Sequence, residues 1–262
     1  TVTGNAGIDT ITITGATANF AGTVATTGGA ENDIILADGT AKVVFTGAKT
    51  YTTAITSSTT SEGTVQLTGV ANIVGSIGTD ADNTVATLDV DESSSISGSV
   101  FVDATTVSDT DVLTFDGGAA QTVTGTIDSN DGDTDGDIAV SATVGGVTFS
   151  GAIGSNDVIE VLDDNSATTY NGTVNATTIT LDDSSLANGV STFNEAVTAT
   201  TVTIGTASAK TVNFKKNLTA TTITAANAAD AITFNGTSAQ TIAGTIDGAA
   251  GIAGVVTSNN TA

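Results

Sequence analysis

The sequence predicts an all-β fold, an elongated parallel β-solenoid (β-helix) of about ten coils of 19–25 residues with two longer acidic loop insertions. Two observations predict it. A short motif, an apolar residue followed by x-Gly-x-Val/Ile, recurs in degenerate form along the whole chain, and the composition suits strands and turns. Thr and Val favour strands, whereas Gly, Asn and Asp favour turns. A repeat of this length indicates coils that bury their apolar faces against one another.

Ten apolar anchors carry the motif, at intervals of 25, 22, 29, 19, 34, 21, 23, 21 and 20 residues. The anchors are Phe20, Phe45, Leu67, Ile96, Phe115, Phe149, Tyr170, Phe193, Phe214 and Phe234. The two longest intervals hold the most acidic segments, residues 80–91 and 128–137, which predict loops that project from a coil. Ten coils stacked at about 4.8 Å would make a rod of roughly 50 Å.

Residues 165–225 contain three similar units that indicate where a coil turns. In the first unit the apolar positions change parity at an Ala-Thr-Thr step, between Ala176 and Ile179, and the next two units repeat this change. A strand with a side-chain period of two cannot change faces unless it bends. Each Ala-Thr-Thr is therefore interpreted as a corner with a strand on either side.

The whole chain, 1–262, is interpreted as one solenoid body, a segment or processed form of a longer chain, because strand-like sequence begins close to Thr1. Residues 114–128 match residues 233–247 at an offset of 119, which indicates internal duplication. A string of small β-sandwiches is the alternative fold. It would show turn signals every 8–12 residues or so, without stacking of Phe from coil to coil.

The formal net charge of −23 limits the partners. A nucleic-acid backbone and an anionic membrane surface would both repel such a chain, so neither is an expected partner. No apolar stretch is long enough for membrane insertion, and the absence of Cys excludes disulfides and thiolate metal sites. The charge suits a secreted or cell-surface protein in a salty, calcium-containing medium; simple solubility is the alternative explanation.

The strongest candidate site is a calcium-binding loop, Asp131-Gly-Asp-Thr-Asp-Gly-Asp137. Alternating oxygen ligands followed by Gly resemble the first half of an EF-hand loop. Position 12 of such a loop would be Ala142, so the bidentate Glu is missing and this is not an EF-hand. The predicted Ca²⁺ ligands are Asp128, Asp131, Asp133, Asp135 and Asp137, completed by a neighbouring coil or water. The alternative is a solvated acidic loop.

Two acidic pairs form a weaker candidate. Asp163 and Asp164 lie 19 residues before Asp182 and Asp183, close to one coil, so the pairs can stack and share a cation. The alternative is that each Asp is an ordinary turn residue.

The residue types do not favour catalysis. Without His, Cys or Arg, the usual bases, nucleophile triads and phosphate clamps are missing, so no catalytic residue and no organic cofactor is predicted. Glycoside hydrolysis by paired carboxylates remains open on residue types. The sugar platforms and basic groups that such sites use are scarce, with two Tyr, no Trp and five Lys.

The resemblance to a known group of proteins rests on units such as Tyr170-Asn-Gly-Thr-Val-Asn-Ala-Thr-Thr-Ile-Thr-Leu181 and on the blocks at 114–128 and 233–247. These units resemble Thr/Gly/Asn-rich β-strand-repeat surface proteins of Gram-negative bacteria. That group includes S-layer-like proteins and autotransporter-adhesin passengers. The resemblance covers nearly the whole chain and implies secretion, a β-helical rod and calcium-dependent order. It carries over no site residues.

Three functions are considered. The first is a non-enzymatic structural surface protein that binds copies of itself in an S-layer, sheath or filament, with calcium-stabilised loops. The second is an adhesin stalk or passenger that binds an external ligand such as cell-surface polysaccharide, which a concentrated aromatic or loop-borne patch would favour. The third is a polysaccharide-active β-helix enzyme, which a groove with carboxylates about 5–10 Å apart would favour.

Overall fold

The computed structural model is a parallel β-solenoid of about ten turns, as the sequence predicts. It describes residues 2–3, 10–25, 33–80, 82–130, 135–141, 145–182, 189–206, 208–248 and 255–259. Within these ranges there is no helix, and every strand pairs in parallel with the strand of the neighbouring coil.

The strands are short, two to eight residues. The first third of the chain holds β1 (Val2–Thr3), β2 (Thr10–Ile13), β3 (Thr17–Phe20), β4 (Val24–Ala25), β5 (Asp33–Leu36), β6 (Lys42–Phe45), β7 (Lys49–Thr52), β8 (Ala54–Ser57), β9 (Glu62–Leu67) and β10 (Ala71–Val74). The middle holds β11 (Val85–Val90), β12 (Ser94–Ile96), β13 (Val102–Val107), β14 (Val112–Phe115), β15 (Gln121–Val123), β16 (Thr126–Ser129), β17 (Asp137–Val140), β18 (Val147–Phe149), β19 (Ile159–Asp164) and β20 (Thr168–Tyr170). The last part holds β21 (Val174–Leu181), β22 (Val190–Phe193), β23 (Val197–Ile204), β24 (Thr211–Phe214), β25 (Leu218–Ala225), β26 (Ala231–Phe234), β27 (Ile242–Gly248) and β28 (Val255–Ser258).

These strands build three sides of a coil. Face 1 is the 12-stranded sheet from β1 to β27, and face 2 is the six-stranded sheet from β3 to β16. Face 3 joins the three-stranded sheet β2-β5-β8 to the seven-stranded sheet from β15 to β28, through single bridges at Ile77 and Val100. Each coil follows face 3, then face 2, then face 1. Beyond Ile153, face 2 continues through Val174 into the first half of the long strand β21.

The Ala-Thr-Thr corner is confirmed as a change of face. In β21 the buried positions switch parity between Ala176 and Ile179, with Thr177 and Thr178 half-buried between them. The expectation of two separate strands is wrong, however, because the segment is one strand that pairs with β23 from end to end. The strand bends at Thr177, the one position that the pairing with β23 skips, and the pairing of β23 with β25 skips the equivalent position.

The anchors do not form one column, which corrects a simple reading of the repeat. Phe45 lies on face 2, Ile96 on face 1 and Phe149 on face 3. Leu67 pairs with Val90 in the next coil, so the long interval from Leu67 to Ile96 contains one complete coil and then one further side of the solenoid. The interval from Phe115 to Phe149 has the same origin. The motif therefore marks a corner, and all three corners use it.

Face 3 carries the largest aromatic stack. Tyr170 lies between Phe149 and Phe193, with ring centroids 5.3 and 4.5 Å away, and the stack continues through Phe214 at 5.1 Å to Phe234 at 5.6 Å. All five side chains are at most 1% exposed. Such pairs contribute about 0.5–1.5 kcal/mol each beyond burial. The stack thus ties five successive coils together.

Close backbone contact at the corners explains the Gly of the motif. A Cβ on Gly151 would lie 1.7 Å from the carbonyl oxygen of Gly125, and one on Gly172 would lie 2.2 Å from that of Gly151. Any side chain there would push two stacked coils apart.

The two duplicated blocks fold alike but on different sides. Gln121 accepts a hydrogen bond from the Gly117 amide (2.9 Å) and donates to the carbonyls of Ile96 and Gly98 (2.9 and 2.8 Å). Gln240 makes the equivalent bonds in its own block, with the Gly236 amide and with two carbonyls of the preceding coil. The first block begins on face 1 in β14, and the second begins on face 3 in β26.

Candidate functional site

Acidic side chains of four successive coils gather where the chain passes from face 2 to face 1. We call this edge the acidic corner. It follows β11, β13, β16 and the bridge at Ile153 in turn. Its described members are Asp89, Asp91, Glu92, Asp109, Asp111, Asp128, Asp135, Asp137, Asp157 and Glu160. The acidic segment 80–91 is only partly a loop, because it includes β11.

Backbone hydrogen bonds connect residues 135–137 of the acidic corner to the coil before them and to the coil after them. The Gly136 amide donates to the carbonyl of Asp109, and the Asp137 amide donates to that of Asp111 at 2.8 Å. On the other side the Glu160 amide donates to the Asp135 carbonyl at 3.2 Å. Gly136 has φ +67°, and a Cβ there would lie 2.6 Å from the Val107 carbonyl oxygen. The Gly of the predicted calcium loop is therefore also required by stacking.

Asp128, the first predicted ligand, joins two coils. Its side chain is 6% exposed. One carboxylate oxygen accepts from the Asn156 amide (2.8 Å) and the Ser155 hydroxyl (3.2 Å), and the other accepts from the Asn156 side-chain amide (3.1 Å). Charge-assisted bonds of this kind are stronger than neutral ones. The structure thus gives Asp128 a structural partner that the sequence pattern did not indicate.

Asp137 lies at the opposite end of the loop. One of its oxygens accepts from the Val161 amide at 3.0 Å. Burial raises the pKa of Asp137 above its usual value, and the negative charges of Glu160 and Asp135 raise it further. A bound cation would oppose both effects.

The calcium hypothesis stays a prediction. Asp131 and Asp133 lie outside the described residues. Among the described ones, no group of three or more His, Cys, Asp or Glu is arranged to hold a metal ion.

In the preceding coils, uncharged side chains donate hydrogen bonds to the acidic groups. The Gln66 side-chain amide donates to Asp89 at 3.0 Å and to Asp91 at 2.6 Å. The hydroxyl of Thr106 donates to Asp89, and that of Ser108 donates to Asp91. Burial, followed by the charge of Asp91, raises the pKa of Asp89. Sequence analysis missed this ladder because its members are 17 to 25 residues apart.

The second candidate, the Asp163–Asp164 and Asp182–Asp183 pairs, is only partly brought together. The Asp182 amide donates to the Asp164 carbonyl at 2.7 Å, but the residue that stacks on Asp164 in the ladder is Leu181. Asp163 is half-buried on the outer side of the strand, and Asp183 lies outside the described residues. The cation that lies beside Asp164 and Asp182 is the ammonium of Lys210, which donates to the Asp182 carbonyl at 2.8 Å.

Asp164 and Lys210 are both inside the core. Their side chains are fully buried, and Nζ of Lys210 lies 4.0 Å from Oδ2 of Asp164. Asp164 also accepts from the Ser166 amide (3.0 Å) and from the hydroxyls of Thr168 (2.7 Å) and Ser191 (2.6 Å). Burial raises the pKa of Asp164, and Lys210 and these hydrogen bonds oppose that rise. We call Asp164, Lys210 and their partners the buried charge cluster.

A shallow groove of about 450 Å³ crosses face 1 between β7 and β14. Its rim includes Val70, which is 55% exposed, beside Lys49 and Asn72. Among the described residues that line it, none carries a carboxylate. Within its described lining, this groove therefore does not present the pair of carboxylates that would favour a polysaccharide-active enzyme.

No known protein family, curated protein or solved structure matches this chain. Within the described residues, no helix has the length and apolar character needed to cross a membrane.

Proposed function

We propose that this chain is a structural element of an extracellular surface assembly, in which solenoid bodies associate with copies of themselves. A parallel ladder that repeats from coil to coil gives a stiff rod, and solenoids mainly serve as scaffolds and surfaces. The surface charge and the absence of the usual catalytic residue types agree with this role. Secretion and a place at the cell surface belong to the same proposal.

The observation that carries the proposal is the parallel pairing that the described strands repeat from coil to coil on all three faces. Backbone pairing of this kind can accept a further coil of the same spacing. Apolar side chains also lie on the outside of inner coils, where Val70, Val74 and Val190 are 55%, 38% and 39% exposed. A second copy of the chain is the partner we propose.

Calcium binding at the acidic corner is the second part of the proposal. At short range, like-charged carboxylates repel each other, and a divalent cation would remove that repulsion. Asp128, Asp135 and Asp137, with Asp131 and Asp133, are the proposed ligands.

Electron microscopy of the purified chain, with calcium and after chelation, tests both parts. Ordered sheets or fibres that disperse on chelation would support a calcium-organised assembly. Assemblies that persist after chelation would support self-association and contradict the role of calcium. Dispersed, folded rods in both conditions would contradict self-assembly.

Matched variants locate the effect. The double variant Asp135→Asn, Asp137→Asn should abolish the response to calcium. As a control, Asp80→Asn, Asp82→Asn removes the same charge from another coil and should leave the response intact. If both variants behave alike, calcium acts only through general screening.

An adhesin module is the second candidate, and the face 1 groove favours it. Exposed Val70 beside Lys49 and Asn72 combines apolar and polar contacts suited to an external ligand. Cell-surface polysaccharide is the ligand class we would test first. Loss of binding in Val70→Asp, with folding retained, would support this function.

A further inference from the structure

The buried charge cluster contains a lysine and an aspartate placed to react with each other. We propose that Lys210 and Asp164 condense in the folded chain to form an intramolecular isopeptide bond, an amide between Nζ of Lys210 and Cγ of Asp164. The bond would join two coils covalently in a chain that has no Cys. It does not depend on the proposed surface function.

Burial of the two groups is the first argument. Both side chains are fully excluded from solvent, and Nζ lies 4.0 Å from Oδ2. A desolvated lysine amine is a good nucleophile, because burial favours its neutral form. Burial also favours the neutral carboxylic acid. Holding an amine and a carboxyl side by side in this way favours a reaction between them, because the translational and rotational entropy cost of bringing them together is already met by folding.

The hydrogen bonds of Lys210 orient the amine. Nζ donates to the carbonyl of Ser166 and to that of Asp182, the latter at 2.8 Å. A neutral amine has two N–H bonds, and these two carbonyls accept both. These bonds hold the amine beside the Asp164 carboxyl.

The surroundings of Asp164 suit both the reaction and its product. Thr168 and the Ser166 amide hold Oδ1, whereas Ser191 holds Oδ2, so the carboxyl plane is fixed. The buried hydroxyl of Tyr170 lies beside Asp164. It is close enough for the charge of Asp164 to raise its pKa, after the larger effect of burial. Tyr170 therefore keeps its proton and can donate it to the carboxyl oxygens as charge develops.

The step balances without a co-reactant. Proton transfer within the ion pair gives a neutral amine and a neutral acid. The Nζ–Cγ bond forms and the Cγ–Oδ2 bond breaks, while one amine proton moves to the departing hydroxyl, so that one water leaves. Two buried charges disappear, which removes their desolvation cost. The new amide N–H retains a carbonyl acceptor, and its oxygen retains the donors that held Oδ1.

Mass spectrometry of the intact, denatured chain tests the proposal. The expected mass is that of the sequence less one water. Cleavage after Glu and Lys locates the bond, because Asp164 lies in fragment 161–195 and Lys210 follows Glu195. The cross-linked product is fragment 161–195 joined to fragment 196–215, uncut at Lys210 and lighter by one water.

Three variants sharpen the result. Lys210→Arg should show the full sequence mass, whereas Lys49→Arg, at an exposed lysine, should keep the water loss. Asp164→Asn should release ammonia instead and give the same cross-linked fragment mass as the natural chain. These readings do not require the variants to be as stable as the natural chain, because the natural chain alone decides the main question.

Three outcomes would overturn the proposal. One is a natural chain of full sequence mass, with cleavage after Lys210. Another is a water loss located in any other fragment. The third is a water loss that mild alkali reverses, because a cyclic imide at an Asp-Gly step hydrolyses under those conditions and an amide does not.

Discussion

Removing one ring from the aromatic stack tests whether the coils are held together as described. Phe214 is 1% exposed and lies between Phe193 and Phe234, at 5.1 and 5.6 Å. Phe214→Ala removes this buried ring, and a change of this kind typically lowers the free energy of unfolding by about 3–5 kcal/mol. Two ring pairs are lost as well, so we expect the upper part of that range. Phe214→Leu keeps most of the apolar contact, and we expect about 1–3 kcal/mol from the ring pairs alone.

The assay must resolve individual coils, because a solenoid need not unfold in one step. Hydrogen exchange read by mass spectrometry should show faster exchange in β22, β24 and β26 and little change in β9 or β11. Lys215→Ala, the next residue and exposed, is the control and should change stability by less than about 0.5 kcal/mol. A loss below about 1 kcal/mol in Phe214→Ala, or faster exchange spread evenly over the rod, would refute the reasoning.

Three further predictions concern single side chains. Burial raises the pKa of Asp89 above 3.8, so the ionised form is disfavoured in the folded chain, and stability should increase as pH falls from neutral through the folded pKa. Asp89→Asn should raise the denaturant midpoint at neutral pH and reduce the stability that the chain gains on acidification. An unchanged midpoint would contradict this account. Gln121 is 2% exposed, whereas Gln240 makes equivalent hydrogen bonds but is only half-buried. Because unpaired partners cost more when they are buried, Gln121→Ala should lower the free energy of unfolding, measured by chemical denaturation, more than Gln240→Ala does. Gly151→Ala should lower the melting temperature by several degrees through its clash, whereas Gly39→Ala, with open space around it, should have little effect.

Much of the fold could be predicted from the sequence, because the apolar period and the turn residues act locally. The parity change at Ala176 and Ile179 located a corner correctly. The sequence could not show that both sides of that corner belong to one strand. It also could not assign the anchors to faces, since the same motif serves each corner and nothing local distinguishes one side from another.

The candidate site was harder to predict, because its contacts join distant positions. Asp128 was identified as an acidic group, but its partner Asn156 is 28 residues away. Asp164 and Asp182 were expected to meet a cation, and the cation found beside them is Lys210. A lone Lys within a strand pattern resembles an exposed residue until neighbouring coils are stacked. The calcium loop itself stays a prediction.

The shift of the duplicated block from face 1 to face 3 shows that the three sides of the coil are interchangeable building units. Adding or removing a whole coil would change only the length of the rod. Adding or removing a single side would instead turn everything beyond it by about a third of a revolution while preserving the apolar interior. The direction in which a loop such as the acidic corner points can therefore change without any change in the packing of the apolar interior.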